Sequence, residues 1–319
     1  MPKPVIAIVA LFCATIAPAE PVAIAPGITL IPGASPAGRQ PDGNSILIEA
    51  PKGFILIDTG RHTAHQDTII AFADARGRRI AAIVNTHWHL DHSGGNAEIL
   101  AAFPKTPLYA SHAIDGALRG FLPKSRADAV AYVKSGAASP DITADIALDS
   151  AAVDEPASLR PTFPMTKSRI MKIAGRKIDI HIAPFAATEG DIWMLDRQTG
   201  VLVAGDLVVA AAPYLDTACP DGWRKALDTI AQVNFRILVP GHGDPMTKAR
   251  FLDWRTAFNN LVDCAERDTP KTDCIVGWKR DAAAFIAPGD REIDALIDYY
   301  LDSRLRAPPA ERTRYCLPQ

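Results

Sequence analysis

No charge of one sign dominates this chain. Its 34 lysines and arginines nearly balance 36 aspartates and glutamates, the formal net charge is -2, and there is no long basic run. That excludes nucleic acid as the default partner, because binding to phosphates leaves a basic footprint. Long apolar runs are scarce too. The one near the N-terminus, Val5–Ile16, is shorter than the ~20 residues needed to span a bilayer, and no other stretch reads as transmembrane. Cysteine is sparse, five in 319 residues, and no cysteine lies in a cluster of potential metal ligands.

The N-terminus reads as a secretory signal over residues 1–19. Lys3 gives the positive region, Val5–Ile16 the apolar core, and Ala17-Pro18-Ala19 an A-x-A-like cleavage site, with Glu20 as the mature start. This predicts a periplasmic or secreted protein with no stable membrane insertion after cleavage; the alternative is an uncleaved anchor. Cys13 is a poor lipid-attachment site because Phe12 precedes it where a small residue is expected. Cleavage leaves Cys219, Cys264, Cys274 and Cys316. An even count suits an oxidising compartment and allows three pairings. The favoured pairing is Cys264 with Cys274, leaving Cys219 with Cys316; four free thiols is the alternative.

The stretch that organises the chain is Thr86-His87-Trp88-His89-Leu90-Asp91-His92-Ser93-Gly94-Gly95. The apolar run Ile80–Val84 before it predicts a buried strand, so the histidines fall at a strand's C-terminal end, where α/β sheets carry their sites. On extended backbone His87 and His89 point the same way. Asp91 and His92 follow the turn and can face a second point. Three imidazoles and a carboxylate suit zinc, with iron or manganese as alternatives.

Along the chain, Ile46–Ile48 and Phe54–Ile57 flank Pro51-Lys52-Gly53 in a hairpin pattern. Helices are predicted over 63–77 and 96–103, the second with Ser93 as N-cap. Residues 122–165 lack strong periodicity and read as an insertion, either a lid near the site or a surface excursion, with 127–135 as a candidate helix. Hairpins follow at 169–182 and 191–204, then a helix at 223–233 and a strand at 236–239. From Lys248 the chain turns helical, with Phe251, Trp254, Phe258, Leu261 and Val262, and later Ile293, Leu296, Ile297, Tyr300 and Leu301, at helical spacing. These aromatics read as core rather than as substrate contacts. With 48% hydrophobic residues, the chain has enough for one large domain plus an appendage. The predicted organisation is a domain over 20–247 with the 122–165 insertion, followed by a helical extension over 248–319.

The His-x-His-x-Asp-His pattern resembles the metallo-β-lactamase superfamily. Asp58-Thr59-Gly60, Gly205-Asp206 and Pro240-Gly241-His242-Gly243 resemble that family's other landmarks, in its order. The resemblance implies an α/β fold, an αββα sandwich with metals at the shared sheet edge, here with a helical C-terminal appendage. It places His87 and His89 on a first metal, Asp91, His92 and His242 on a second, and Asp206 between them. The family's third histidine, in His-Thr-x-Gly-Asp, falls on Ala187, and a methyl group cannot coordinate metal. Glu189 is a candidate replacement; His181 is too far along the strand. The resemblance therefore implies a first site that is incomplete and a mononuclear enzyme, or one whose first metal is weak.

The implied activity is metal-dependent hydrolysis of an ester, thioester, lactone or related bond in a small-molecule substrate. One or two zinc ions would activate hydroxide, with Asp91 orienting the water or accepting its proton. Asp206 resembles the thioesterase and lactonase branches, whereas recognised β-lactamases carry cysteine or serine there. β-Lactam hydrolysis and a catalytically impaired metal- or ligand-binding protein are the alternatives.

Overall fold

The structure is a computed structural model that describes residues 20–36, 38–290 and 292–318. The signal expected over residues 1–19 lies outside the described residues. Among the described residues, no helix is long and apolar enough to cross a membrane.

The first half of the chain runs β1 (Val22–Ala25), β2 (Ile28–Ile31), β3 (Ser45–Ala50), β4 (Gly53–Ile57), α1 (Thr63–Asp74), β5 (Ile80–Val84), α2 (Leu90–Ser93), α3 (Asn96–Ala102) and β6 (Leu108–Ser111). Helices α4 (Ile114–Arg119), α5 (Phe121–Lys134) and α6 (Pro140–Asp154) follow, then β7 (Phe163–Met165). The second half runs β8 (Arg169–Ile173), β9 (Arg176–Pro184), β10 (Gly190–Asp196), β11 (Val201–Val209), α7 (Pro220–Ala231), β12 (Ile237–His242) and β13 (Met246–Thr247). The C-terminal helices include α8 (Lys248–Ala265), α9 (Lys271–Asp281) and α10 (Glu292–Tyr300).

The strands form two sheets, β1 to β7 in sequence order and β13-β12-β11-β10-β9-β8. Side-chain alternation explains their near-continuous apolar sequences. Ile46, Ile48, Ile55 and Ile57 of the first sheet meet Ile192, Met194, Val201 and Val203 of the second in one inter-sheet core. Their alternate neighbours face outward: Leu47, Phe54 and Leu56 pack on Ile69 and Phe72 of α1. Trp193, Leu195 and Leu202 pack with Trp223 of α7 and Trp254 and Phe258 of α8. A sheet covered on both faces needs both side-chain sets apolar. The result is a helix–sheet–sheet–helix sandwich, in line with the αββα expectation.

Several local expectations shift. Ser93 does not cap α3; it closes α2, and its Oγ donates to Trp88 O and His89 O at 3.1 and 3.0 Å. The helix expected over 127–135 is longer, starts at Phe121, and is joined by α6. The helices after Thr247 share one core with the second sheet. Both disulfides pair as favoured, Cys264–Cys274 and Cys219–Cys316.

Trp254 is fully buried, and its Nε1 donates to Val209 O at 2.9 Å. Trp254→Ala should therefore cost about 3–5 kcal/mol, read as a lower urea midpoint.

Candidate metal centre

Four strand ends deliver the site. Asp58 follows β4, residues 85–92 follow β5, Asp206 lies in β11, and His242 ends β12. β11 is irregular at this point: its register against β12 shifts on both sides of Gly205, whose φ is +57°. A bulge of this kind re-aims a side chain, here Asp206, toward the sheet edge. Gly241 on β12 lies so close that a Cβ there would sit 1.8 Å from Asp206 Oδ1, and one at Gly43 would sit 2.4 Å from the His92 ring. Only glycine allows backbone at both places.

The six predicted ligands come together as two groups of three. His87, His89 and Asp206 form one, and Asp91, His92 and His242 the other, with donor atoms in each group within 4.8 Å of one another. His92 Nε2 lies 3.2 Å from His242 Nε2 and 3.1 Å from Asp206 Oδ1; His242 Nε2 lies 3.0 Å from Asp91 Oδ2. His87 Nε2 and both Asp206 oxygens are buried without a hydrogen bond of normal geometry. Buried polar atoms left in this state call for a partner, and a divalent cation fits this donor set.

Electrostatics agree. Burial opposes charge on His92, yet Asp206, Asp91 and Asp58 around it raise its pKa well above 6.5. Burial opposes charge on Asp91 as well, but His92, His242 and Arg61 hold it well below the usual carboxylate range. The cluster demands positive charge at its centre.

A buried network aims the imidazoles. His92 Nδ1 lies 2.8 Å from Asp58 Oδ2. Thr86 Oγ1 donates to the same oxygen at 2.7 Å and lies 3.0 Å from His87 Nδ1. Asp58 thus fixes His92 directly and His87 through one hydroxyl, leaving both Nε2 atoms to face the centre. His89 Nε2 lies 2.9 Å from Thr217 Oγ1, which donates to Ala187 O at 3.1 Å. That leaves His89 Nδ1 for the site.

Ala187, where the family's third histidine would fall, is buried in the outer core of the second sheet. Glu189 does not take its place: it is absent from both donor groups and lines a separate small cavity with Thr217 and Tyr315. His181 is also remote, stacked on Trp193 with ring centroids 3.8 Å apart.

A cavity of about 360 Å³ opens over His89 and Asp91, walled by Trp88, Phe121, Leu122, Tyr214 and Tyr300. Leu122, Ser125 and Asp149 of the 122–165 stretch therefore line this cavity. α6 is fastened to the early turn: Asp149 pairs with Arg61, and Asp145 pairs with Arg39 and lies 3.1 Å from His62 Nε2. Tyr300, read from its spacing as core, is both core and pocket wall. Sequence reasoning gave no role to Asp58, Arg61, Thr86, Thr217 or Tyr214 in the chemistry. Thr86 borders the motif and Asp58 ends a strand, which are usable signals; Thr217 and Tyr214 have none.

A sequence profile described as the metallo-beta-lactamase superfamily matches residues 38–242, well over half of the chain. The chain belongs to the metallo-beta-lactamase superfamily. A metallo-beta-lactamase family protein from Thermus thermophilus superposes with TM-score 0.58 at 17% identity, covering 87% of this chain and 94% of that one. A metallo-beta-lactamase from Pontibacter korlensis gives TM-score 0.56 at 16% identity, covering 76% and 99%. Such identities speak for the fold alone. Among curated relatives, the linear primary-alkylsulfatase of a Pseudomonas species is 26% identical over 223 residues, 63% of this chain and 41% of that protein. The hydroxyacylglutathione hydrolase of Gloeobacter violaceus is 38% identical over 76 residues, 21% and 29%. The atrochrysone carboxyl ACP thioesterase of Aspergillus fumigatus is 31% identical over 84, 26% and 27%. The matches thus span about a quarter to two fifths of these relatives' length.

The network behind the ligands can be tested at Asp58. Its φ is +58°, a conformation asparagine tolerates, so Asp58→Asn keeps the turn but loses the charge behind His92. Metal affinity should fall about 10–100-fold, measured by competition with a chromophoric chelator. His62 titrates the α6 fastening: burial lowers its pKa, but Asp42 and Asp145 leave it raised above 6.5. A raised histidine stabilises fully below its unfolded pKa and ceases to do so as pH rises through its folded value. The melting-temperature deficit of His62→Asn should accordingly be largest near pH ~5.5 and shrink by pH ~8.5.

Proposed function

We propose that the protein is a zinc-dependent hydrolase of an ester, thioester or lactone bond, with its stronger metal site at Asp91, His92 and His242. One observation carries this reading. Two groups of donors, His87–His89–Asp206 and Asp91–His92–His242, come together beside a cavity sized for a small molecule, and one member of each, His89 and Asp91, lines it. Hydrolysis as a class is supported by the relatives named above, a thioesterase, a hydroxyacylglutathione hydrolase and an alkylsulfatase.

Bound at this centre, zinc would supply a Lewis acid that acidifies water and polarises the scissile carbonyl. The chain's own residues do the rest. Asp91 turns Oδ2 toward His242 and Oδ1 toward Arg61, 3.9 Å away, so its carboxylate is held ionised and in place. From there it is placed to orient the attacking water or to accept its proton. Trp88, Phe121 and Leu122 exclude bulk water from one side. Ala187 leaves the first group with two histidines and the shared Asp206, which supports one firmly held metal per chain.

We also propose that the protein is exported. Its two disulfides suit an oxidising compartment, and the signal-like N-terminus supports the same reading.

The test is metal stoichiometry by mass spectrometry on the mature protein, with turnover of an ester, lactone and lactam panel. About one metal per chain, rising to about two in Ala187→His, is expected. Turnover should fall at least ~100-fold in His242→Ala. Two firmly held metals in the unaltered chain would overturn the single-site reading. Metal binding without turnover of any panel member would favour an impaired binding protein, and lactam as the best substrate would favour the β-lactam reading.

A further inference from the structure

The wall of the cavity limits what charge a substrate can carry. Its apolar face is aromatic: Trp88 packs edge-on against His89 with centroids 4.6 Å apart and lies 5.4 Å from Phe121, and Tyr214 packs edge-on against His242 at 5.3 Å. Tyr300 completes that face from the C-terminal helices.

Among the described residues, Arg61 is the only lysine or arginine lining this cavity, and it is engaged. Its Nη1 is paired with Asp149, its Nη2 lies 3.9 Å from Asp91 Oδ1, and its Nε donates to Pro41 O at 3.3 Å. Its side chain is only 8% exposed. A guanidinium so committed offers little to an incoming carboxylate or phosphate.

The same cavity is lined by Asp216, half-buried, with Oδ2 accepting from Tyr300 Oη at 2.7 Å. Asp216 therefore stays fixed on the pocket side of the C-terminal helices. Setting the ligand Asp91 aside, Asp149 and Arg61 on the wall offset each other as an ion pair, which leaves Asp216 as the uncompensated charge lining the cavity. The small cavity beyond Trp88 and Phe121 holds Glu189 and Arg314, but at about 40 Å³ it admits little more than a water molecule.

We propose that this pocket selects compact substrates whose apolar or aromatic body carries no charge or a positive one, with Asp216 setting the preference and Asp149 keeping Arg61 engaged. A cation gains from the aromatic faces as well as from the Asp216 carboxylate, whereas an anion meets repulsion in a partly dry site. A glutathione thioester, net negative, is disfavoured even though a hydroxyacylglutathione hydrolase is among the relatives. The bond cleaved rests on the hydrolase reading; the charge preference rests on the wall.

The test separates the two. Three matched hydroxamates are titrated calorimetrically into the zinc-loaded full chain: 4-(aminomethyl)-, 4-methyl- and 4-carboxybenzohydroxamate. The aminomethyl compound should bind about tenfold more tightly than the carboxy compound, with the methyl compound between them. Asp216→Asn should shrink that gap about threefold, and Asp149→Asn, which releases Arg61, by at least as much. Asn at 216 keeps an acceptor for Tyr300, and position 149 lies on a surface helix, so the two variants do not share a folding risk.

Equal or tighter binding of the carboxy compound would overturn the proposal. So would a gap unchanged in both variants, or no binding by any of the three. A preserved cationic preference in a protein that turns over no ester, thioester or lactone would sink the hydrolase reading and leave this one standing.

Discussion

The site depends on one buried carboxylate. Asp58 follows β4 in a left-handed conformation and commits both oxygens to the motif that follows β5. One takes the Thr86 backbone N–H at 2.7 Å; the other takes the Thr86 hydroxyl and faces His92 Nδ1. Two strands of the first sheet are thereby locked in register at their C-terminal ends, and two imidazoles receive their tautomers from the same group. An isolated carboxylate at 1% exposure would be costly; here the hydrogen bonds compensate the burial. Asn44 does comparable work across the sheets, its Nδ2 donating to Pro240 O at 3.0 Å and Gly243 O at 2.8 Å. The last of the six donors, His242, is thus held between two backbone carbonyls tied to the opposite sheet.

The sandwich was legible because strand sequences obey a period of two on both faces. Runs such as Phe54–Ile57 and Val201–Ala204 must be apolar throughout when one face meets the other sheet and the other meets helices. The two donor groups were legible because four of their six residues sit within six positions. The stretch at 122–165 was not, and burial explains it. α5 buries only Leu122, and α6 only Asp145 and Ile146. A helix held by ion pairs rather than by an apolar stripe leaves no periodic signal in its sequence. Thr217 and Tyr300 escaped for another reason: their roles arise from contacts 128 residues and 84 residues away in sequence, to His89 and Asp216.

Ala187, where the family resemblance would place a histidine, sits in ordered surroundings. Its carbonyl accepts from Thr217, and Thr188 binds Asp191 through N–H and hydroxyl at 2.9 and 3.0 Å. The turn is hydrogen-bonded, and Ala187 on it belongs to the apolar core. The asymmetry between the two donor groups is therefore chemical, a missing nitrogen, rather than a collapse of the fold.

The Cys219–Cys316 bridge joins residues 97 apart in sequence, close to the C-terminal end. Here Tyr315 packs against Arg304, whose guanidinium is 4.8 Å from the ring and also donates to Asp216 O. The bridge, the tyrosine and the arginine hold the Asp216–Thr217 segment from outside. Its conformational entropy is lost once, when the chain folds and oxidises, instead of each time a small molecule arrives. Preorganisation of that kind tightens binding without adding a contact.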